Sequence, residues 1–303
     1  MAPSSRTTAR ALLYHYTSAD ALLGIIETGT MWATDIRFLN DSSEFSFARD
    51  TLVRELYGAA SRLRNERVRR IVRQQLDSFS GRSAPAYVVS FSERGNLLSQ
   101  WRAYAPRDGA SIGFHRAALR AVKDFNLERC YYARDSGTAA GYEKRGLREL
   151  IRALESDVRW VARLVQAESR KKTQAMRARE SAEELHSVIL ASGLISAALR
   201  LKHSGFAEEK EWRLIDDAVA NQIALGDIPP ERIRFRRGAY GVTPYLVAEL
   251  PKRWRNAPLG IAEIVVGPSS NIQATVASIQ ELLQRRLHST ARVIPSGIPY
   301  RAW

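Results

Sequence analysis

Leu12 to Gly29 reads LLYHYTSADALLGIIETG, and the periodicity of this stretch changes half-way along. Leu12 to Thr17 (LLYHYT) has the aromatic and aliphatic content of a strand. From Thr17 the pattern turns helical. Thr17 stands where an N-cap is needed, Asp20 supplies a carboxylate three positions on, and Leu22, Leu23, Ile25 and Ile26 form an apolar stripe. Gly29 follows, where a helix ends on left-handed backbone. A strand that runs directly into a helix puts His15 just before a helix N-terminus, where backbone N–H groups meet anionic or ribose-bearing ligands.

Working outward, Asp41 to Glu44 opens a helical stretch that reaches about Ser78, with Asp41 and Glu44 spaced as an N-cap and N3 pair. Ala86 to Glu93 (AYVVSFSE) and Ala110 to Phe114 (ASIGF) read as strands on either side of a short helix over Asn96 to Ala105. Residues 141–198 are helical by composition. Beyond Phe206 strands return at Glu211 to Ile215, Ile233 to Arg237, Tyr245 to Leu250 and Glu263 to Val266. A helix over Ile272 to Leu287 then precedes a last strand ending in Ser296 to Arg301. Strands at both ends with helices clustered between them predict an α+β fold rather than a βαβ succession. With no internal repeat and no low-complexity linker, the expectation is a single domain, 1–303, carrying a mainly helical insertion at about 141–203.

Composition narrows the setting. The chain has 303 residues, is 45% hydrophobic, and carries 46 Lys and Arg against 32 Asp and Glu, a net charge of +14. Such an excess favours nucleic acid or another polyanion as partner. It is concentrated in Arg62, Arg64, Arg67, Arg69, Arg70 and Arg73 around one helix, and in Arg232, Arg234, Arg236 and Arg237, of which three alternate residues share a strand face. A solubilising surface is the plainer explanation of the same arginines. No run of about 18 apolar residues predicts a membrane span, and Met1 to Arg10 lacks the apolar centre of a secretory signal. With its single cysteine, Cys130, expected to be a small buried hydrophobe, the expected location is cytoplasmic. The oligomeric state is left open.

The sequence has no phosphate loop, no GxGxxG after a strand, no HExxH and no paired CxxC, so no metal site is predicted. Candidate chemistry gathers elsewhere. In Glu208-Glu209-Lys210-Glu211-Trp212-Arg213-Leu214, strand periodicity puts Glu209, Glu211 and Arg213 on one face. Adjacent carboxylates raise each other's pKa unless a cation intervenes, so the pair is either an ion-paired anchor with Arg213 or a site able to stabilise an oxocarbenium-like centre. Ser90 and Ser92 share a strand face, and Phe91 lies opposite. Trp101 and Tyr104, three apart on a helix, either stack on a flat heterocycle or belong to the core. His15 is equally open to a core role with a backbone partner. His115, His186, His203 and His288 have no ligand spacing and read as structural or exposed.

The stretches LYHYTSADALLGIIETGTMWATDIRFLNDSSEF, VVSFSERGNLLSQWRAYAPRDGASIGF, FAEEKEWRLI, EIVVGPSS and SGIPYR resemble the bacterial domain family of unknown function numbered 2971. A more distant resemblance is to the ADP-ribosyltransferase superfamily, carried by a strand with His, then Ser or Thr, a helix of the form LxxIIxxG and a following strand. That resemblance implies a split β-sheet core with NAD, consumed as substrate, in the cleft between two small sheets. It implies His15, with Tyr16 and Thr17 beside it, on an NAD ribose, and Ser90 and Ser92 on the strand that shapes the nicotinamide pocket. Trp32, Trp101 or Tyr104 contact nicotinamide or adenine, Glu211 is the catalytic carboxylate, and Glu209 prepares the acceptor. Members that open with histidine usually carry tyrosine on the second strand, where this chain has Ser-Phe-Ser. The function so implied is an NAD-dependent ADP-ribosyltransferase acting on nucleic acid or protein, in a toxin or phage-defence setting. Two other readings stand beside it: a non-catalytic nucleotide or nucleic-acid sensor using the same cleft, and a metal-dependent nuclease using Asp41, Glu44, Glu209 and Glu211, with Asn40 and Arg213 as further candidates.

Overall fold

The strand-to-helix turn at the N-terminus fixes the first layer. β1 (Leu12–Thr17) leads into α1 (Ala19–Thr28), whose N-cap is Ser18 rather than Thr17. The Ser18 hydroxyl accepts from the Ala21 amide at 3.2 Å, while Thr17 is still extended and 6% exposed. Leu22, Ile25 and Ile26 are the buried stripe, and Gly29 closes the helix at φ 66° with its amide on the Ile25 carbonyl. The structure is a computed structural model that describes residues 11–39, 43–80, 86–105, 108–134, 142–170, 188, 190–216, 230–238 and 241–299. Asn40, Asp41 and His186 lie outside the described residues.

After β2 (Thr30–Asp35) come two helices, α2 (Glu44–Ala60) and α3 (Glu66–Ser80), where the sequence predicts one running to Ser78. The chain turns at 61–65, and the Asn65 side chain accepts from the Val68 amide at 3.2 Å to start α3. Two apolar stripes can then fold on each other: Ala48, Leu52, Leu56 and Ala60 of α2 meet Val68, Ile71, Val72, Leu76 and Phe79 of α3 in one core. Arg62 and Arg64 consequently sit in the turn and not on the helix with Arg67, Arg69, Arg70 and Arg73.

β3 (Tyr87–Ser92), α4 (Leu98–Tyr104), β4 (Ala110–His115) and α5 (Arg116–Leu119) follow. β5 (Phe125–Arg129) and β6 (Tyr131–Ala133) flank Cys130, which is buried between them. α6 (Tyr142–Arg170) and α7 (190–198) make up the described part of the helical block, which ends in β7 (Leu201–His203). The remaining elements are β8 (Glu211–Asp216), β9 (Arg234–Gly238), β10 (Gly241–Glu249), the small pair β11 (Arg253–Trp254) and β12 (Ala257–Pro258), β13 (Ile261–Val266), α8 (Ile272–Leu287) and β14 (Arg292–Pro295). The protein is thus α+β, as its sequence predicts.

The main sheet runs β14-β13-β4-β1-β3-β2-β10-β9, and β8 and β5 branch from β3. β3 pairs with β8 over Val88 to Ser92 along one edge. Its other edge is divided: Tyr87 and Val88 pair with Asp35 and Thr34 of β2, whereas Ser92 pairs with Tyr14 of β1. The sheet therefore forks at β3, with two arms diverging on either side of Val89 to Phe91. One face, bearing Leu13, Val89, Phe91, Ile112, Phe114, Trp212 and Leu214, buries the first core with stripes of α1 and α8. The opposite face meets α2, α3, α6 and α7 in a second core. Near the fork that face meets α4 instead, whose Trp101 packs on Tyr16 and Val265.

Close approach at the base of the fork needs glycine. Gly113 stands opposite Tyr14, and a Cβ there would lie 2.8 Å from the Tyr14 ring. That ring is pinned by its hydroxyl, which donates to Glu263 Oε1 at 2.7 Å. Gly113→Ala is expected to destabilise the fold by about 1–3 kcal/mol, read as a lower urea midpoint at unchanged m-value.

Candidate functional site

At the end of β3 beyond the fork, five charged side chains meet in the protein interior. Lys202 of β7 places Nζ 2.6 Å from Glu211 Oε2, 2.7 Å from Glu209 Oε2 and 3.7 Å from Glu44 Oε2. Arg213 donates from Nε to Glu211 Oε1 at 2.7 Å, from Nη2 to Glu44 Oε1, and from Nη1 to the Leu199 carbonyl at 2.9 Å. Glu211 also donates its backbone N–H to the Tyr132 hydroxyl at 2.8 Å. Side chains of Lys202, Glu44, Glu211 and Arg213 are at most 5% exposed, and that of Glu209 is 12% exposed.

Strand periodicity predicts Glu209 and Glu211 two apart on one strand, but β8 begins only at Glu211. Glu209 ends a 3₁₀ turn over Ser204–Glu209, and Lys210 has left-handed backbone, φ 45° and ψ 52°. That residue rotates the chain so that both carboxylates reach the same ammonium. Ser92 holds the turn in place: its hydroxyl donates to the Glu209 carbonyl at 2.6 Å and accepts from the Arg94 amide at 3.0 Å. Glu44 is the first residue of α2, directly after the N-cap Ser43, and its side chain turns inward to Arg213 and Lys202.

The electrostatics separate the carboxylates. Burial opposes ionisation of Glu211, yet the guanidinium of Arg213 and the ammonium of Lys202 outweigh it and draw the carboxyl down to about 2. Burial pushes Glu209 above the ordinary carboxylate range; Lys202 pulls the other way and Glu211 adds repulsion. Lys202 and Arg213 stay charged against burial because Glu211 and Glu44 face them. Three carboxylates against two cations leave one negative charge in excess. Glu209 is where a proton can come and go. Glu44, Glu209 and Glu211 close on an ammonium and a guanidinium, and no group of three or more metal-ligating side chains occurs among the described residues; Asp41, the fourth acid of the nuclease reading, lies outside them.

Ser90 and Ser92 share the sheet face of Glu211, because Ser92 stands opposite Glu211 and Ser90 opposite Arg213. Trp32 shares it too, two residues from Thr34, which stands opposite Val88. Tyr104 of α4, 39% exposed, faces the cluster: burial raises its pKa to about 12, and Glu209 reinforces the rise. Trp101 does not join them. It is 1% exposed, edge-on to Tyr16 at 4.7 Å, with its indole N–H on Asn96. Tyr16 is also core, its hydroxyl donating to the Arg94 carbonyl and accepting from the Leu97 amide.

His15 lies apart from Glu211. It alternates with Tyr14 and Tyr16 and tilts against Phe91 at 5.8 Å, on the opposite face. Its Nδ1 is 3.0 Å from the Ser90 carbonyl oxygen, in the gap of the fork. A carbonyl only accepts, so Nδ1 carries the proton; burial lowers the pKa, which leaves the ring neutral with Nε2 as an acceptor. Sequence reasoning misses Lys202. The signal for it is the carboxylate pair itself, which requires a cation beyond Arg213.

Residues 100–214 match the model of DUF2971, a protein family of unknown function. No curated protein and no solved structure matches the chain. The resemblance to that family read in the sequence therefore holds over this stretch, whereas the resemblance to ADP-ribosyltransferases has no counterpart in the comparisons. The matched residues include Tyr104, Lys202, Glu209, Glu211 and Arg213; His15, Trp32, Glu44, Ser90 and Ser92 precede them.

Removing one member of a buried ion cluster strands its partners. Arg213→Met leaves Glu44 and Glu211 facing Lys202 alone, with an expected loss of about 3–5 kcal/mol, measurable as a lower urea midpoint. Acid acts through the same residues. Because the folded-state pKa of Glu211 is depressed, its contribution is complete above the ordinary carboxylate value near 4.5 and disappears as pH falls towards about 2. The urea midpoint of the wild type is expected to fall through that window, and that of Glu211→Gln to start lower and fall less.

Proposed function

We propose that the chain is an NAD-dependent ADP-ribosyltransferase whose reacting centre lies where Ser90, Tyr104 and Glu209 border the buried ion cluster. The observation that carries this reading is the junction of two strands: Ser92 stands opposite Glu211, and its hydroxyl holds the Glu209 carbonyl. A serine-bearing strand and a Glu-x-Glu segment are thereby joined beside a forked sheet, which is one part of the arrangement that the superfamily resemblance implies. The other part, His15 and Glu211 in one cleft, is not met, because His15 lies on the opposite face and Glu211 is held in a packed ion pair with Arg213. A buried charge cluster that net-neutral apolar packing could replace at lower cost also favours a site over an anchor.

The geometry redistributes the roles that the resemblance implies. Both oxygens of Glu211 are engaged by cations, so Glu211 is a positioning residue that holds Lys202 and Arg213. Glu209, more exposed and more basic, is the carboxylate with access to substrate. In the proposed reaction the bond between nicotinamide nitrogen and ribose C1 breaks, and its electron pair goes to the pyridinium ring. The acceptor heteroatom bonds to C1, and its proton passes to Glu209. The excess negative charge of the cluster stabilises the cationic ribosyl centre. Tyr104 supplies an aromatic surface beside it, and the neutral His15 bonds the Ser90 carbonyl in the gap of the fork.

The test is release of nicotinamide from NAD by the purified protein, with and without DNA, RNA or cell lysate. Glu209→Gln, which keeps the volume of the side chain and leaves Lys202 paired with Glu211, is expected to lower release by about 100-fold or more, compared under conditions where the urea midpoint shows both proteins folded. A folded wild type that releases no nicotinamide under any of these conditions overturns the reading in favour of a non-catalytic binding module.

A further inference from the structure

On the same sheet face as the ion cluster, but towards β9, lies a surface that the proposed reaction does not use. We infer that the face of β2, β10 and β9 bearing Trp32 is a binding platform for single-stranded nucleic acid. Register sets its layout. Thr34 stands opposite Tyr245, Tyr245 opposite Arg234, and Thr243 opposite Arg236, so that Trp32, Thr34, Tyr245, Arg234 and Arg236 project from one face.

Trp32 is 50% exposed. Tyr245 lies against it at 4.8 Å between ring centroids, and the Arg236 guanidinium sits 5.6 Å from its centroid. Arg236 donates from Nη2 to the Thr34 hydroxyl at 3.0 Å, while its Nε is buried with no hydrogen-bond partner. Among the described residues no carboxylate pairs with Arg234, Arg236 or Arg237, although Arg232 next to them reaches Asp216 at 3.2 Å. Burial lowers the pKa of Arg236, and Tyr245 offsets this only in part. A half-desolvated guanidinium without a counter-ion binds an external anion more readily than a paired one.

Exposed aromatic and unpaired cation together select the ligand. Inorganic anions and acidic peptides have nothing to lay on an indole, whereas a nucleic acid offers a base face with a phosphate alongside. A duplex keeps its base faces covered by stacking, so only an unpaired strand exploits Trp32. β9 ends the sheet, and its other side leaves Phe235 65% exposed and Val242 71% exposed, so the platform is open at that edge. The net charge of +14 supplies the attraction that draws a polyanion to it. This inference does not rest on the transferase reading.

Fluorescence anisotropy of labelled RNA and DNA strands of about 15 nucleotides, within the range that such platforms cover, tests it. The intact protein is expected to bind single strands more tightly than the same sequence as duplex. Trp32→Ala is expected to weaken binding by about tenfold, and Arg236→Gln to flatten the dependence on salt by about one unit of log–log slope. Arg234→Gln, at an exposed position, gives the same direction of effect without touching packing, and thermal melts of all three verify folding. Arg70→Gln with Arg73→Gln on α3 is the control and is expected to leave affinity unchanged. Absence of binding, equal affinity for duplex, or loss confined to the α3 control overturns the inference.

Discussion

The interior contacts of Arg213 are the constraint from which much of the fold follows. One guanidinium, 1% exposed, joins β8 to the first residue of α2 through Glu44 and to the end of α7 through the Leu199 carbonyl. Lys202 adds β7 and the 204–209 turn. Each charge carries a desolvation cost that only its partners offset, so these segments are ordered together or not at all. The helical block is for that reason not a detachable cap: α6 and α7 bury Leu150, Leu154, Val161, Leu190, Leu194 and Ile195 against α2 and α3 in a shared core. Through the Leu199 carbonyl and Lys202, this block forms one wall of the ion cluster.

The fork at β3 is the second constraint, and it depends on the first. β8 pairs with β3 from Val88 to Ser92, and the ion cluster holds its start at Glu211. With that edge taken, β1 and β2 must share the other, and Val89 to Phe91 are left between the arms. A backbone carbonyl exposed at such a gap needs a donor, and His15 supplies one to Ser90. The same histidine that sequence reasoning singles out for a ligand is thus first a replacement for a missing strand partner. Its Nε2 keeps an acceptor for something further.

Much of this was legible in the sequence because it rests on local periodicity. The strand and helix around LLYHYT, the strands at SFS and EWRLI, and the C-terminal amphipathic helix all follow from patterns shorter than 20 residues. The shared face of Ser90 and Ser92 and the nearness of the Glu209 and Glu211 carboxylates were visible for the same reason. What was not legible depends on partners far along the chain. Nothing local distinguishes Ser18 from Thr17 as the cap, or says that Glu44 turns inward to a residue 169 positions away. Trp101 and Tyr104 have the same spacing signal, yet one packs on Tyr16 and the other faces the cluster, a difference set by how α4 crosses β1. The left-handed Lys210 that brings Glu209 to Lys202 is a backbone choice no side-chain pattern announces.

Charge is unevenly distributed across the face that links these parts. At the β8 end, buried acids exceed buried bases by one; at the β9 end, Arg234 and Arg236 face outward with no described acid opposite. Uncompensated charge at either end costs folding free energy that an apolar face would not. The two ends oppose each other in sign, so the face carries a fixed electrostatic polarity from β8 to β9, kept at the expense of folding stability.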